Sequence, residues 1–330
     1  MKTKFNTAIL TVLLGSSLVF ASCKNETEMV SQLAKPSAAG FNDIRKNALA
    51  DLTITKEFKA EEGLDFTTGK GTQIKISPNC LRDNSNNLVA GNVSLSFVEM
   101  YDRGNMLLTN KALMGKNSNG DYLPLVTGGQ FNIEVFKGTQ KLKSGCTFYV
   151  NIPASLTGGI DDEMKLWFGQ TDENGDLKWE ENQMEGAQGK RAGMNANMEY
   201  STYNIWSNEF GWTNVDRFSA EPDPSTQIKV TVPSAYNQTN SAVYLSYENE
   251  RNLLAQLDVY DVQENYFSEH YGFVPIGKTV HVIFTTESNG SIVYGIKKVT
   301  IVANGVINFA ESDLNITSKS NLVSIINNLN

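Results

Sequence analysis

The chain has 330 residues, 40% of them hydrophobic and 19% charged, enough apolar material for ordinary cores and too much for long disorder. Its formal net charge is −8 and it carries no basic stripe. That excludes the electrostatic footprint of a nucleic-acid binder and the polybasic patch that holds a protein to anionic headgroups.

Met1-Lys2-Thr3-Lys4 is a short basic start, and Ala8 to Phe20 is an apolar run of 13 residues. A bilayer span takes about 20, so the run has the size of a secretory signal instead. Ala21-Ser22-Cys23 follow. Small residues before a cysteine at this place resemble the bacterial lipobox, with Phe20 where that pattern more often has Leu. The resemblance implies cleavage before Cys23 and a palmitate-type anchor on it. Each acyl chain then contributes about 0.8 kcal/mol per buried methylene. The alternative is an ordinary signal peptide with an incidental cysteine. Lys24-Asn25-Glu26-Thr27-Glu28 is similar to the tract that sends lipoproteins of Bacteroidetes-type bacteria to the outside of the outer membrane. That similarity implies a surface-exposed, lipid-anchored protein. Without it, residues 24–40 read as a solvated tether.

Phe41, Ile44, Ala48 and Leu52 have helical spacing, with Asn42 or Asp43 near the start. From Leu52 the period changes to two. Strands are expected at Gln73–Ser77, Val93–Met100, Gln130–Phe136 and Thr147–Ile152, with a weaker one at Leu107–Leu113. Met164–Phe168 and Leu177–Trp179 flank the turn Asp172–Asp176, and Lys116–Asp121 is a second hairpin turn. Residues 180–199 are expected to form a long loop. Glu221-Pro222-Asp223-Pro224-Ser225 reads as a stiff linker. After it, strands are expected at Gln227–Val232, Ala242–Tyr247, Val280–Thr285 and Ile292–Val302, a short helix at Asn249–Leu257, and a terminal helix at Asn321–Leu329. Turn signals about every ten residues argue for a mainly β fold. The reading is two antiparallel β-sandwich (Ig-like) domains in tandem, with a short N-terminal helix and a C-terminal helix. Its parts are a lipoprotein signal peptide over 1–22, tether and helix over 23–51, a first sandwich over 52–220 and a second over 226–330.

The run Gly71-Thr72-x-Ile74-x-Ile76-x-Pro78 is followed by Gly91-Asn92-Val93, Met106-Leu107 and Gly128-Gly129-x-Phe131-x-Ile133. This pattern resembles the sandwich domain named after zonula occludens proteins and netrin receptors, and Bacteroidetes-type lipoproteins with a similar domain. Gly211–Phe218 is similar to a segment common in those lipoproteins. The resemblance covers roughly residues 50–230 and implies a fold, not an activity. Some eukaryotic members of that family cleave themselves at His-Phe-Ser. Here Arg217-Phe218-Ser219 stands in its place, and a guanidinium that stays protonated cannot activate a serine.

Chemistry-bearing residues are sparse. His270 and His281 are the only histidines, no zinc spacing exists, and no Gly-x-Ser-x-Gly elbow or phosphate loop is present. No cofactor is therefore expected. Asp172–Asp176 lacks the distal glutamate of a calcium loop, and Asp161-Asp162-Glu163 reads as a solvated acidic turn. Cys80 and Cys146 form an even pair that permits a disulfide, the alternative being two separate buried thiols. The aromatic run carrying Tyr203, Trp206 and Trp212, beside Arg191, Met194 and Met198, supplies the best contact candidates.

Three functions compete. The first is a non-enzymatic lipid-anchored envelope protein whose sandwiches bind or assemble with a protein partner. The second is a glycan-binding accessory protein of an uptake system, which needs Trp179, Trp206 and Trp212 to face solvent. The third is a hydrolase, which needs a pocket with converging carboxyls of raised pKa.

Overall fold

Residues 33–171, 176–183, 192–219 and 224–330 are described by the computed structural model. The leader, Cys23, the Asp172–Gly175 turn, Arg191, loop residues 184–190 and Glu221–Asp223 of the linker lie outside them.

Ser37, not Asn42 or Asp43, caps the first helix, α1 (Ala38–Leu52), by accepting from the Gly40 amide at 3.0 Å. Glu287 fixes the cap by accepting from the Ser37 amide at 2.6 Å. Strands β1 (Ile54–Lys59), β2 (Leu64–Thr67), β3 (Gln73–Ile76) and β4 (Asn92–Met100) follow. The strand expected at Leu107–Leu113 is replaced by a short helix, α2 (Arg103–Leu108). Asp102 starts it by accepting from the Asn105 amide at 2.9 Å, and Met106, Leu107 and Leu108 are buried by it. Then come β5 (Met114–Lys116), β6 (Tyr122–Lys137), β7 (Phe148–Pro153), β8 (Lys165–Thr171) and β9 (Leu177–Glu181). Next are β10 (Ala192–Asn197), β11 (Thr202–Ser207) and β12 (Gly211–Phe218). β10 falls inside the expected loop. Its Gly, Asn and Ala content gives it little strand propensity, and residue-for-residue pairing with β11 holds it extended.

These strands form a five-stranded sheet, β10-β11-β7-β3-β2, and a larger one, β1-β4-β6-β12-β8-β9-β5, with Gln140–Lys141 alongside β6. β5 pairs with β6 as well as β9, so β6, β12, β8, β9 and β5 close into a ring. Gly128 and Gly129 sit in the long strand β6 because side chains there would collide with the rings of Tyr203 and Tyr101, at 2.9 and 2.5 Å. Gly129 also has φ +134°. The larger sheet is buried on both faces. One face packs Leu95, Phe97, Phe131 and Val215 against Ile74, Val150 and Ile205 of the five-stranded sheet. The other packs Leu125, Trp167 and Trp179 with α1, α2 and the second half.

In the second half, β13 (Ser241–Tyr247), β14 (Ala255–Leu257), β15 (Thr279–Ser288), β16 (Ser291–Thr300) and β17 (Asn315–Thr317) form the sheet β14-β13-β15-β16-β17. Four short strands, Val259–Asp261, Tyr266–Ser268, Lys229–Thr231 and Val306–Asn308, make a second sheet. Asn289 and Gly290 turn β15 into β16 with φ of 51° and 77°, the left-handed pair that a two-residue hairpin needs. The short helix expected at Asn249–Leu257 is absent. Leu253 bridges to Val126, and Ala255–Leu257 pair with β13. The chain ends in α3 (Lys319–Asn327), capped by Ser318.

The chain is thus mainly β, and Ala34–Asn330 forms one compact unit that spans the expected domain boundary. The Leu113 amide donates to the Leu254 carbonyl and the Thr127 amide to the Asn252 carbonyl, both at 3.0 Å. The Tyr244 hydroxyl donates to Asn110 Oδ1 at 2.5 Å. Buried Arg103 donates to the Ile326 carbonyl (3.1 Å), to Ser246 Oγ (2.5 Å) and to the Leu329 carbonyl. Ser225–Thr226, at the end of the linker, pair with Val274–Pro275.

Cys80 and Cys146 are joined, with Cα atoms 5.3 Å apart and a separation of 66 positions in sequence. A loop of that length predicts that the Cys80→Ser, Cys146→Ser variant loses about 4 kcal/mol in urea unfolding. An unchanged midpoint would mean that the thiol form is already held closed.

Candidate functional site

Strand register decides which aromatics face outward. In β11, Tyr203, Ile205 and Ser207 point into the core, while Thr202, Asn204 and Trp206 point out. In β7, Val150 and Ile152 are buried, and Tyr149, Asn151 and Pro153 face out. The pairing carries this parity across the sheet. One row reads Gly193, Trp206, Tyr149, Lys75 and Asp65, one residue from each strand. The next reads Asn195, Asn204, Asn151, Gln73 and Thr67. Five strands span about 19 Å at ordinary strand spacing.

The first row is an aromatic ledge. Trp206 is half-buried because its ring lies against Gly193, where a Cβ would come within 2.4 Å of the indole. Tyr149 beside it is 49% exposed. The second row is a ladder of amides. Asn151 Nδ2 donates to Gln73 Oε1 and Gln73 Nε2 to Asp65 Oδ1, each at 3.3 Å, and Thr202 Oγ1 donates to Asn204 Oδ1 at 2.9 Å. At the β10–β11 hairpin, Met198 and Tyr200 are exposed.

The other contact candidates fall elsewhere. Tyr203 is not a contact residue: it is 0% exposed, its hydroxyl accepting from the Asp161 amide at 2.8 Å. Trp212 is on β12 of the larger sheet, against Gly169 and with Lys111 Nζ 5.7 Å from its ring, so it does not join Trp206. Trp179 cannot stack on a sugar, being fully buried with its indole N–H on the Ala112 carbonyl. Met194 packs against the core. Asp161 accepts from Arg217 Nε at 2.7 Å, so that acidic turn is part of an ion pair.

A small pocket of about 20 Å³ gathers Tyr122, Asp258, Glu269, His270 and Tyr271. It has room for about one water. Both its carboxylates are engaged. Asp258 meets Lys178 at 2.7 Å and His270 at 3.2 Å. Glu269 accepts from the amides of Tyr271 and Gly272. Burial raises the Glu269 pKa and these amides pull it back, leaving it above the ordinary value. A wider crevice of about 480 Å³ beside α1 includes Arg45, Asp176 and Tyr260. Asp176 there accepts from Gln256 within the crevice and from Asn110 beside it, and Arg45 donates to Tyr244.

Sequence reasoning passed over a buried polar cluster on β6 and β12. Thr127 Oγ1 donates to Asn214 Oδ1 at 2.9 Å, and Asn214 Nδ2 donates to Asp216 Oδ2 at 2.5 Å. Burial raises the Asp216 pKa well above the carboxylate range, against the pull of the Thr127 hydrogen bond. Buried His281 moves the opposite way: burial lowers its pKa, and the Lys298 and Arg103 charges add to that.

Compared with protein-family models, with curated proteins and with solved structures, the chain matches none.

Two predictions follow from burial. Trp206→Ala leaves urea stability within about 1 kcal/mol of the parent, whereas Tyr203→Ala costs about 3–5 kcal/mol. Equal losses would make Trp206 a core residue. Asp216 is raised in the fold, so its stability contribution is full below the unfolded pKa near 4 and is lost as pH rises toward the folded value. The neutral isostere Asp216→Asn should therefore gain on the parent by roughly 1.4 kcal/mol per pH unit within that window. Urea midpoints at several pH values between 4.5 and 8 measure the gap; a constant gap rules out a neutral carboxyl.

Proposed function

We propose that the chain is a lipid-anchored, non-enzymatic protein of the outer membrane that binds through the outer face of its five-stranded sheet. The observation that carries this reading is the pair of rows across that sheet: an aromatic ledge at Trp206 and Tyr149 beside an amide ladder from Asn195 to Gln73. A face with no task favours charged, strongly hydrated side chains over Trp and Tyr. The two halves read as β-sandwich modules, the first resembling the netrin-receptor type, fused along a shared core. Acylation at Cys23 supplies the anchor, and Lys24–Glu28 the signal for outward display.

Cells fed labelled palmitate should label the parent chain and not the Cys23→Ala variant, and the variant should leave the membrane fraction. Protease added to intact cells should then digest the parent. Labelling that survives Cys23→Ala removes the anchor from this reading.

A further inference from the structure

We infer that the outer face of the five-stranded sheet recognises an uncharged glycan chain laid across the strands. The inference rests on the binding reading above and adds the ligand's chemistry; of the three tryptophans expected to meet a sugar, Trp179 is buried and Trp212 lies on the other sheet, so the stacking surface is Trp206 with Tyr149.

Three features select that class. The first is charge. Among the described residues of these two rows and of the next, Asn197, Thr202 and Pro153, the only charged side chains are Lys75 and Asp65, and they pair with each other at 3.6 Å. A balanced face offers nothing to a phosphate, a sulfated polymer or an acidic peptide. The second is hydrogen-bonding type. Asn195, Asn204, Asn151, Gln73, Thr202 and Thr67 each donate and accept, as sugar hydroxyls do, and the bonds already made at Asn151, Gln73 and Asn204 use only part of their capacity. Those bonds also orient the amides before a ligand arrives, which lowers the ordering cost of binding. The third is the ledge. Trp206 and the exposed ring of Tyr149 lie beside the amides on neighbouring strands. Aromatic faces meet the C–H faces of sugar rings while the amides meet the rim hydroxyls. A protein partner would instead want a desolvated apolar centre inside a polar rim. Here the amides run across four of the five strands, about 14 Å, long enough for two or three sugar rings in a line.

The test uses the full chain with its anchor, purified in a detergent that carries no sugar. The probes are neutral α- and β-glucans, galactans and mannans, with a sulfated glycan and a polyuronate as charged controls. Tryptophan fluorescence and retardation in a polysaccharide-containing native gel are the readouts. The expected result is binding of at least one neutral glycan, insensitive to salt. Trp206→Ala or Asn151→Ala should weaken it about ten-fold, equivalent to ~1.4 kcal/mol, with unchanged urea midpoints. Binding confined to the charged polymers and lost in Trp206→Ala overturns the neutral class and leaves the face as the binding site. A neutral glycan held equally by Trp206→Ala overturns the face as well. Silence across the neutral panel overturns the glycan assignment.

Discussion

The structure depends on a seam. The ring made by β6, β12, β8, β9 and β5 leaves Leu125, Trp167 and Trp179 needing cover, and the second half supplies it with Tyr244, Leu254 and Ile283. Backbone groups at the seam are satisfied only across it, as in the Leu113–Leu254 and Thr127–Asn252 hydrogen bonds. Parting the halves would strand those groups and the buried Arg103 guanidinium, at several kcal/mol for the charge alone. The larger sheet is therefore used on both faces. The five-stranded sheet is used on one, and that asymmetry directs attention to its outer rows.

Much of this was legible in the chain. Period-two alternation located most strands, and Asn289-Gly290 marked its hairpin. The same alternation separates Trp206 from Tyr203, since odd and even positions of one strand go to opposite faces. Grouping the two as one aromatic cluster overlooked that parity. What was not legible came from distant contacts. β10 has poor strand propensity and is held by β11. Leu253 was drawn from an expected helix into a bridge with Val126. α2 was hidden because apolar Met106 to Leu108 fit a strand as well as a helix, and only Asp102 distinguishes the two. Of the three cysteines the sequence left Cys80 and Cys146 as an even pair, but only the fold brings them together.

Polar groups in this chain are sorted by the water available to them. On β6 and β12, Thr127, Asn214 and Asp216 are linked by hydrogen bonds, Asp216 Oδ1 is left without a partner, and burial pushes the Asp216 pKa up. At the small pocket, Glu269 is tied to amides and Asp258 to Lys178 and His270. On the outer sheet Asn151 bonds to Gln73 along its row, Gln73 and Asn204 bond to residues of neighbouring rows, and the amides keep further donors and acceptors facing water. Among the described residues the body leaves Gln130 Oε1, Asn132 Oδ1, Asp216 Oδ1 and His281 Nδ1 buried without a partner, while the outer face of the sheet keeps hydrogen-bonding capacity toward water.

The entry of the chain into the body fits that arrangement. Glu287 and Ser288 of β15 accept from the Ser37 and Ala34 amides and hold the start of α1 against the second half. Burial alone would raise the Glu287 pKa. The Gly290 and Ser37 amides outweigh it and keep the carboxylate ionised, so this cap holds at neutral pH and weakens only in acid. The N-terminal attachment thus belongs to the second half, while the aromatic ledge and the amide ladder belong to the first.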